Sequence, residues 1–513
     1  MDGFTLHLPN TVRKLSSAMV LVLAVSSAAN ADQLLFRFSG DYLTDQTTTL
    51  HGNVGTSLLY RFDSGLSFGG TIYSAAFGDA GGLFIGGYEV GQQFEFADDL
   101  FIEGSVFFGG GGGATIVPGD GMLIRPRLMF GKKVGLYELS LGASYMHVTG
   151  SDIASPVIEF AVSHPLDLLF NQGHSSSCAG CIKTMSSDYV SLHAVKAVYK
   201  NYIPLTDKAP GNRDGSVIQT MQLAGAQFEF DMKAVWGEGW YSYLAAAGSM
   251  GGDGEGYAEF FAGGKYLTAE NLLPSKNVRL FAEAGLGFAG GGDVDTGGGS
   301  MAAAHTGIQW GLFNGLTLDT GIGYVGALEG GYHAWVPSMK LGMDLGYSHS
   351  EMNINYSRTA DLNPTHWTVS TGYSVIADHD TLRYASETGT GNIGMVDVKA
   401  DIMFSENYYV TGQAYTVTSG GAGGFAMGLL GLGAAVDLNK NWRLSAEGLA
   451  GAAAGGAVDV EGGLVVSGQM DLDYRLTDNL SLSTNAGWIK AVKGGLNGPM
   501  VGLGLKFDFT TYD

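Results

Sequence analysis

The chain has 513 residues, with 82 glycines, 11% aromatic and only 15% charged residues, and a formal net charge of -22. This composition suits many strands and turns, and it argues against a helical protein or a disordered acidic chain. The negative charge excludes a basic patch for nucleic acid and makes cations the more natural partners. With only two cysteines, a disulfide-stapled scaffold is excluded as well.

The N-terminus has the parts of a secretory signal. Arg13 and Lys14 precede an apolar run at 18–25, and the sequence Ala29-Asn30-Ala31 fits small-x-small cleavage before Asp32. Residues 1–31 are therefore predicted to be a signal peptide. No second apolar run approaches the ~20 residues that a membrane-spanning helix requires, so export without a helical anchor is expected.

Strands are predicted where apolar residues alternate with small or polar ones, because a strand points successive side chains to opposite faces. The clearest segments are 139–145, 318–324 and 482–488. Each of them places larger apolar residues on one face and mostly Gly, Ser, Asn or Asp on the other. Alternation over about ten positions is typical of strands that cross a membrane with one face toward lipid. The mean hydropathy of +0.12 fits strands in which only alternate residues meet lipid.

Short polar turns punctuate the chain regularly. They lie at 63–65, 97–99, 132–135, 237–239, 274–277, 313–315, 405–407, 439–441 and 477–479. Within each group of three they recur about every 35 residues, the length of a hairpin of two membrane-crossing strands. A soluble β-sandwich would not need so regular a spacing. Aromatic residues beside the turns predict a girdle at a membrane interface, namely Tyr60, Phe62, Trp236, Trp240, Trp310, Tyr408 and Trp442.

One pattern of about 160 to 180 residues repeats three times. In each copy a glutamate, Glu103, Glu283 or Glu447, lies in a similar short segment that leads into a Gly-rich stretch. The predicted domains are a signal peptide (1–31), repeat 1 (32–165), a connector with both cysteines (166–189), repeat 2 (190–348) and repeat 3 with a closing strand (349–513).

Each copy contains about eight predicted strands, so the fold class is all-β, a transmembrane antiparallel barrel of about 24–26 strands. Small eight-stranded barrels fill their interiors with side chains, whereas the presumed inward faces here are largely Gly, Ser, Ala and Thr. Between the second and third copies, a short polar turn separates Tyr347 from Asn353, as in a hairpin of one continuous sheet. These observations favour a single large barrel, with three tandem eight-stranded barrels as the alternative.

The last predicted strand alternates apolar residues with Gly502, Gly504, Lys506 and Asp508, and the apolar positions are Val501, Leu503, Leu505, Phe507 and Phe509. It resembles the C-terminal signature by which the barrel-assembly machinery recognises outer-membrane proteins of Gram-negative bacteria. The tail at 510–513 departs from that signature, which usually ends on the aromatic residue. Each copy also resembles the small OmpA/OmpX-type outer-membrane barrels in pattern and strand count. These resemblances imply a place in the cell outer membrane, with its lipids and the assembly machinery as partners.

Cys178 and Cys181, with His174 nearby, raise three interpretations. Two thiolates at this spacing can form a local disulfide, chelate a metal ion or take part in redox chemistry. An oxidising compartment favours the disulfide, which would pin the connector between the first two repeats. No other cysteine and no complete metal-ligand spacing accompanies them, so neither a metal nor a cofactor is predicted.

Glu103, Glu283 and Glu447 occupy equivalent strand positions and would form an acidic ring on the wall of a single lumen. Such a ring raises the local cation concentration and disfavours anions. In the alternative interpretation each glutamate is solvated or paired, with Arg125 or Arg127 in the first copy.

The function predicted from these features is porin-like passage of small solutes through the outer membrane, with a preference for cations. The alternative is a structural or adhesive surface protein with a closed lumen. No nucleophile motif or triad order is present, so the chain is not predicted to be an enzyme.

Overall fold

The computed structural model describes residues 31–512, except for 173–181, 206–218, 345–363, 378–391 and several breaks of at most seven residues. The predicted signal peptide up to residue 30 and both cysteines lie outside the described residues. Nearly all of the described chain is β-strand, and its helical part is one short turn, Lys233–Trp236. In the part that is described, no helix has the length and apolar character needed to cross a membrane.

The first eight strands form a closed antiparallel barrel, barrel 1. They are β1(Ala31–Leu43), β2(Leu50–Phe62), β3(Leu66–Gly78), β4(Phe84–Ala97), β5(Leu100–Gly112), β6(Met122–Val134), β7(Tyr137–Val148) and β8(Ala154–Leu166). Consecutive strands pair as hairpins, and β1 closes the barrel on β8, with Phe38 opposite Val162. Two short strands follow in the connector, β9(Leu169–Gln172) and β10(Ile182–Lys183).

Barrel 2 repeats this arrangement. Its strands are β11(Ser191–Pro204), β12(Met221–Asp231), β13(Trp240–Gly252), β14(Ala258–Leu267), β15(Val278–Gly290), β16(Ser300–Phe313), β17(Leu316–Ala327) and β18(His333–Asp344). The barrel closes where β11 pairs with β18.

Barrel 3 is formed by the last eight strands. They are β19(Pro364–Ile376), β20(Ile393–Met403), β21(Tyr408–Ser419), β22(Ala426–Asp437), β23(Trp442–Ala454), β24(Leu464–Arg475), β25(Leu480–Ala491) and β26(Asn497–Tyr512). β26 pairs with both β25 and β19 and so closes the barrel. Its end extends past β25, and there β9 pairs with it, Gln172 opposite Phe509.

The predicted all-β fold with three eight-stranded repeats is confirmed, and 24 strands form the barrels. The preference for a single large barrel is wrong, and the tandem alternative is the one observed. Its first argument fails because long charged side chains fill the lumens between the small residues. Its second argument concerned the turn between Tyr347 and Asn353, which lies outside the described residues.

The three barrels contact one another in a cyclic order. Strands are counted from the first strand of each barrel. The third strand of barrel 3 contacts the fifth of barrel 1 (β21 with β5), and the third of barrel 2 contacts the fifth of barrel 3 (β13 with β23). The third of barrel 1 in turn contacts the fifth of barrel 2 (β3 with β15). The same pair of faces is used each time, so a head-to-tail interface closes into a ring of three within one chain.

Small residues make these contacts. The Thr416 hydroxyl donates to the Gly86 carbonyl across barrels 3 and 1 at 3.0 Å, and the Ser300 hydroxyl donates to the Ala76 carbonyl across barrels 2 and 1 at 3.1 Å. Between barrels 2 and 3, a Cβ built at Gly248 would lie 3.3 Å from Cβ of Ala452. The outward Gly, Ala, Ser and Thr positions therefore let the barrel walls approach closely.

Elsewhere the outer faces of the barrels are apolar. Leu141, Phe130, Leu286, Leu432 and Leu503 are each more than half exposed. They sit at outward positions of their strands, whereas polar and charged residues occupy the alternate, buried positions. The molecule is thus polar inside and apolar outside, the reverse of a soluble β-barrel.

Candidate functional site: the three lumens

The lumen of barrel 1 is crossed by a continuous ion-pair network. Arg37 donates to Glu89 at 2.8 Å and to Glu103 at 2.7 Å. Arg127 contacts Glu89 as well and lies 2.8 Å from Glu159. All five side chains are almost completely buried. Because each arginine bridges two carboxylates from different strands, the network ties opposite walls of the barrel together.

Arg125 extends the same network. Its guanidinium donates to Asp41 at 2.6 Å and to Glu159 at 2.8 Å, and its carbon lies 4.6 Å from the centroid of the Tyr73 ring. Arg125 is completely buried. A buried guanidinium is tolerated when its donors are satisfied by charged acceptors and its face is covered by an aromatic ring.

Barrel 2 uses lysines in place of arginines. Lys265 lies 2.7 Å from Glu229 and 2.8 Å from Asp319, while Lys196 lies 3.3 Å and 2.9 Å from the same two carboxylates. The result is a closed square of alternating charges. Lys340, bound to Glu283, continues the polar layer beside it.

One end of the barrel 2 lumen is filled by three tyrosines. The ring centroids of Tyr202, Tyr257 and Tyr332 lie 6.1 to 6.4 Å apart, and all three residues are buried. The Tyr202 hydroxyl donates to Glu259, which Lys200 also binds at 2.7 Å. Burial and the nearby charge of Glu259 raise the pKa of Tyr332, so its hydroxyl stays protonated.

Barrel 3 has a thinner network. Lys399 contacts Glu447 and lies 2.7 Å from Asp471. Lys506 lies 3.3 Å from Asp471 and 2.9 Å from Asp473. Two ammonium groups therefore serve the carboxylates of the whole lumen, where barrels 1 and 2 each bury four basic side chains.

A small cavity lies in this third lumen, beside Lys399 and Lys506. The space open to the centre of a water molecule is about 20 Å³, enough for one or two waters. Gly372 and Gly504, at lumen-facing positions of the β19–β26 seam, line it together with Asp397. Because these two glycines have no side chains, the seam leaves a gap that the other strands fill.

The structure does not bring Glu103, Glu283 and Glu447 together. Each is buried in the lumen of a different barrel, so they form no common acidic ring. Each contacts a basic side chain of its own barrel, Arg37, Lys340 or Lys399. The paired state that the sequence left open is thus the observed one, with Arg37 in the place of Arg125 or Arg127.

The C-terminal strand occupies the seam of barrel 3. Val501 and Leu503 are more than half exposed on the outer face of β26, and Lys506 points inward. Leu505, Phe507 and Phe509 share the parity of the outer face. Recognition of this strand by the assembly machinery stays a prediction. The same holds for the disulfide between Cys178 and Cys181, which lie outside the described residues.

Sequence reasoning missed the basic residues of the lumens. Arg37 lies between two phenylalanines, Lys506 between Leu505 and Phe507, and Lys196 between a valine and an alanine. A single basic residue between apolar neighbours on a predicted strand is the signal that could have revealed an ionic lumen. The outward glycines at the barrel contacts were also missed, because they look like ordinary lipid-facing positions.

The sequence matches no protein-family model, and no curated protein is similar enough to count as a relative. The chain is similar to three solved structures at very low identity. The first is OpdQ of Pseudomonas aeruginosa, with 9% identity, 95% and 99% of the two chains covered and a TM-score of 0.21. The second is Wzi of Escherichia coli, described as a carbohydrate-binding outer-membrane β-barrel, with 10%, 98%, 89% and 0.24. The third is the FrpB iron transporter of Neisseria meningitidis, with 8%, 93%, 81% and 0.29. At such TM-scores these likenesses carry no argument about fold or function, and the OmpA/OmpX-type resemblance stays a prediction.

Proposed function

We propose that this chain is an integral protein of the outer membrane of a Gram-negative bacterium, exported by its N-terminal signal. The apolar outer faces of three closed barrels support this, because a closed sheet satisfies its backbone hydrogen bonds without water. Trp236, Trp240, Trp310 and Trp442 lie next to short turns and are exposed, as interfacial aromatic residues are. Fractionation of cell envelopes tests the location. The protein should remain in the outer-membrane fraction after washing with carbonate, and its release into the wash would contradict the proposal.

Within that membrane, a structural or adhesive role with closed lumens is the function that the geometry supports best. The observation that carries it is the set of buried ion pairs that cross every lumen. A solute larger than water would have to separate several of these pairs and leave charges buried without partners, which is costly. The Gly-rich connections between strands then form the part of the protein that meets its surroundings.

A flux assay on purified protein refolded into liposomes tests the closed lumens. Release of a trapped monosaccharide should be no faster than from liposomes without protein. Fast release by a chain shown to be folded would contradict a closed lumen and would support open, porin-like passage.

Passage of small ions with a preference for cations is a second candidate, and barrel 3 favours it. Its lumen has fewer basic residues than carboxylates and contains the cavity beside Lys399. Carboxylates in excess along a path attract cations and repel anions. A sodium flux that exceeds the chloride flux, with monosaccharide retained, would support this candidate over a fully closed protein.

A further inference from the structure

The three lumens differ in how their buried charges balance. Barrel 1 buries four arginines and five carboxylates, and barrel 2 buries four lysines and four carboxylates. Barrel 3 buries two lysines against four carboxylates, and half-buried Asp397 adds a fifth. The third lumen therefore has the largest excess of negative charge among the described residues. The buried carboxylates of barrel 3 are Asp401, Glu447, Asp471 and Asp473.

Several oxygens in this lumen are buried without a hydrogen bond. They are Oδ1 of Asp401, Oδ1 of Asp473 and Oγ1 of Thr411. The three residues are 4%, 4% and 0% exposed, and Asp401 lies directly opposite Thr411 on the neighbouring strands β20 and β21. Buried carboxylate oxygens that lack donors are costly, so these atoms point to a positive group that the protein itself does not supply.

The cavity gives such a group a place beside these oxygens. Asp397, Lys399 and Asp401 are successive inward positions of β20, so the cavity at Asp397 and the unpaired Asp401 oxygen lie on either side of Lys399. The lining is polar and has room for a particle the size of a water molecule or a small ion. Among the residues that the structure describes, no three His, Cys, Asp or Glu side chains converge as a metal cage does. A tightly held divalent ion is therefore not what this lumen fits.

We infer that the lumen of barrel 3 takes up small monovalent cations, with Asp401, Thr411 and Asp473 supplying oxygen ligands and Asp397 lining the cavity. The inference rests on the proposed function, because a wide, water-filled pore would hold no particular ion. The ion would be shared among carboxylate and hydroxyl oxygens and would exchange readily with water. Barrels 1 and 2, whose carboxylates face four basic groups each, would not bind it.

A sodium titration followed by the line width of the 23Na NMR signal tests this on the full mature chain refolded in detergent. The unsubstituted protein should broaden the sodium signal in a saturable way, and thallium(I) should compete. The double variant Asp401→Asn, Asp473→Asn should bind sodium several-fold more weakly. The matched control is Glu95→Gln, Glu406→Gln, which removes the same charge from exposed carboxylates and should bind like the parent.

A second variant keeps the test decisive if the double variant does not fold. Thr411→Val preserves every charge and nearly the same shape, and it should also weaken sodium binding several-fold. Absence of saturable broadening, equal binding in Thr411→Val, or an infrared carbonyl band showing protonated carboxylic acids in place of bound sodium would each overturn the inference. An open pore in the monosaccharide assay would instead overturn the proposed function, whatever the sodium result.

Discussion

Gly110 of β5 lies so close to the neighbouring barrel that a Cβ at this position would be 1.7 Å from the carbonyl oxygen of Val417 in β21. Gly104, on the same outward face of the same strand, has no atom within 4 Å of its Cβ position. Both glycines are outward positions of one strand, but only Gly110 is in the contact between barrels 1 and 3. The pair therefore separates barrel-to-barrel packing from strand propensity.

Gly110→Val should destabilise the folded protein by about 1 to 3 kcal/mol, because the added side chain forces the two barrel walls apart. Gly104→Val should be neutral or slightly stabilising, since it adds apolar surface toward lipid. Urea unfolding of both variants in detergent measures the difference. Equal stabilities would show that barrels 1 and 3 do not pack against each other at this point.

Glu89→Gln should cost about 3 to 5 kcal/mol, because it leaves Arg37 and Arg127 buried with less compensation. The control is Glu95→Gln in the same strand, where Glu95 pairs with Lys133 at the exposed surface. An exposed pair contributes below about 1 kcal/mol. Chemical unfolding of the two variants gives both values, and a mild effect at Glu89 would mean that water reaches this part of the lumen.

Tyr202→Phe and Tyr332→Phe remove one hydroxyl each from the same tyrosine cluster. The Tyr202 hydroxyl donates to the Glu259 carboxylate, so its loss should cost about 1.5 to 3 kcal/mol. The Tyr332 hydroxyl is buried and forms no hydrogen bond, so its loss should be neutral or stabilising. Thermal unfolding compares the two, and the reverse order would place the charge of Glu259 elsewhere.

Leu141→Arg should weaken folding into lipid vesicles by about 2 to 4 kcal/mol, the cost of a lipid-facing arginine near the midplane. Leu141 lies between Phe130 and Phe160 on the neighbouring strands, and all three are exposed on the outer face. Leu141→Ala controls for the lost side chain and should cost less. If the arginine variant folded into vesicles as well as the alanine variant, this face would not meet lipid.

Much of the local structure could be predicted from the sequence. In β7, Leu139, Leu141 and Tyr145 face outward, and Ser140 and Ser144 face the lumen, as the alternation predicts. Period-2 patterns and polar turns are local properties of neighbouring residues, so they indicate strands and hairpins directly.

Barrel closure could not be predicted in the same way. Whether β1 pairs with β8 or with β26 depends on strands that are far apart in the chain, and both choices present the same faces. The deciding quantity was the volume of the lumen. A few long side chains such as Arg125 and Lys265 fill the space that the many inward Gly and Ser residues leave open. A count dominated by small residues therefore predicted a wide barrel and a shared acidic ring.

The measurement that tests the three-barrel account most directly is a disulfide across the seam of barrel 1. Phe38 and Val162 face each other on β1 and β8, so Phe38→Cys with Val162→Cys should form an intramolecular bond in a chain whose Cys178 and Cys181 are replaced by serine. Cα atoms of directly opposite residues lie about 4.5 to 5.5 Å apart, within reach of a disulfide. Quantitative bond formation with native folding is the result expected. If the cysteine at 38 did not react with that at 162 but formed a bond with one placed at Val501 in β26, the strands would close as one wide barrel.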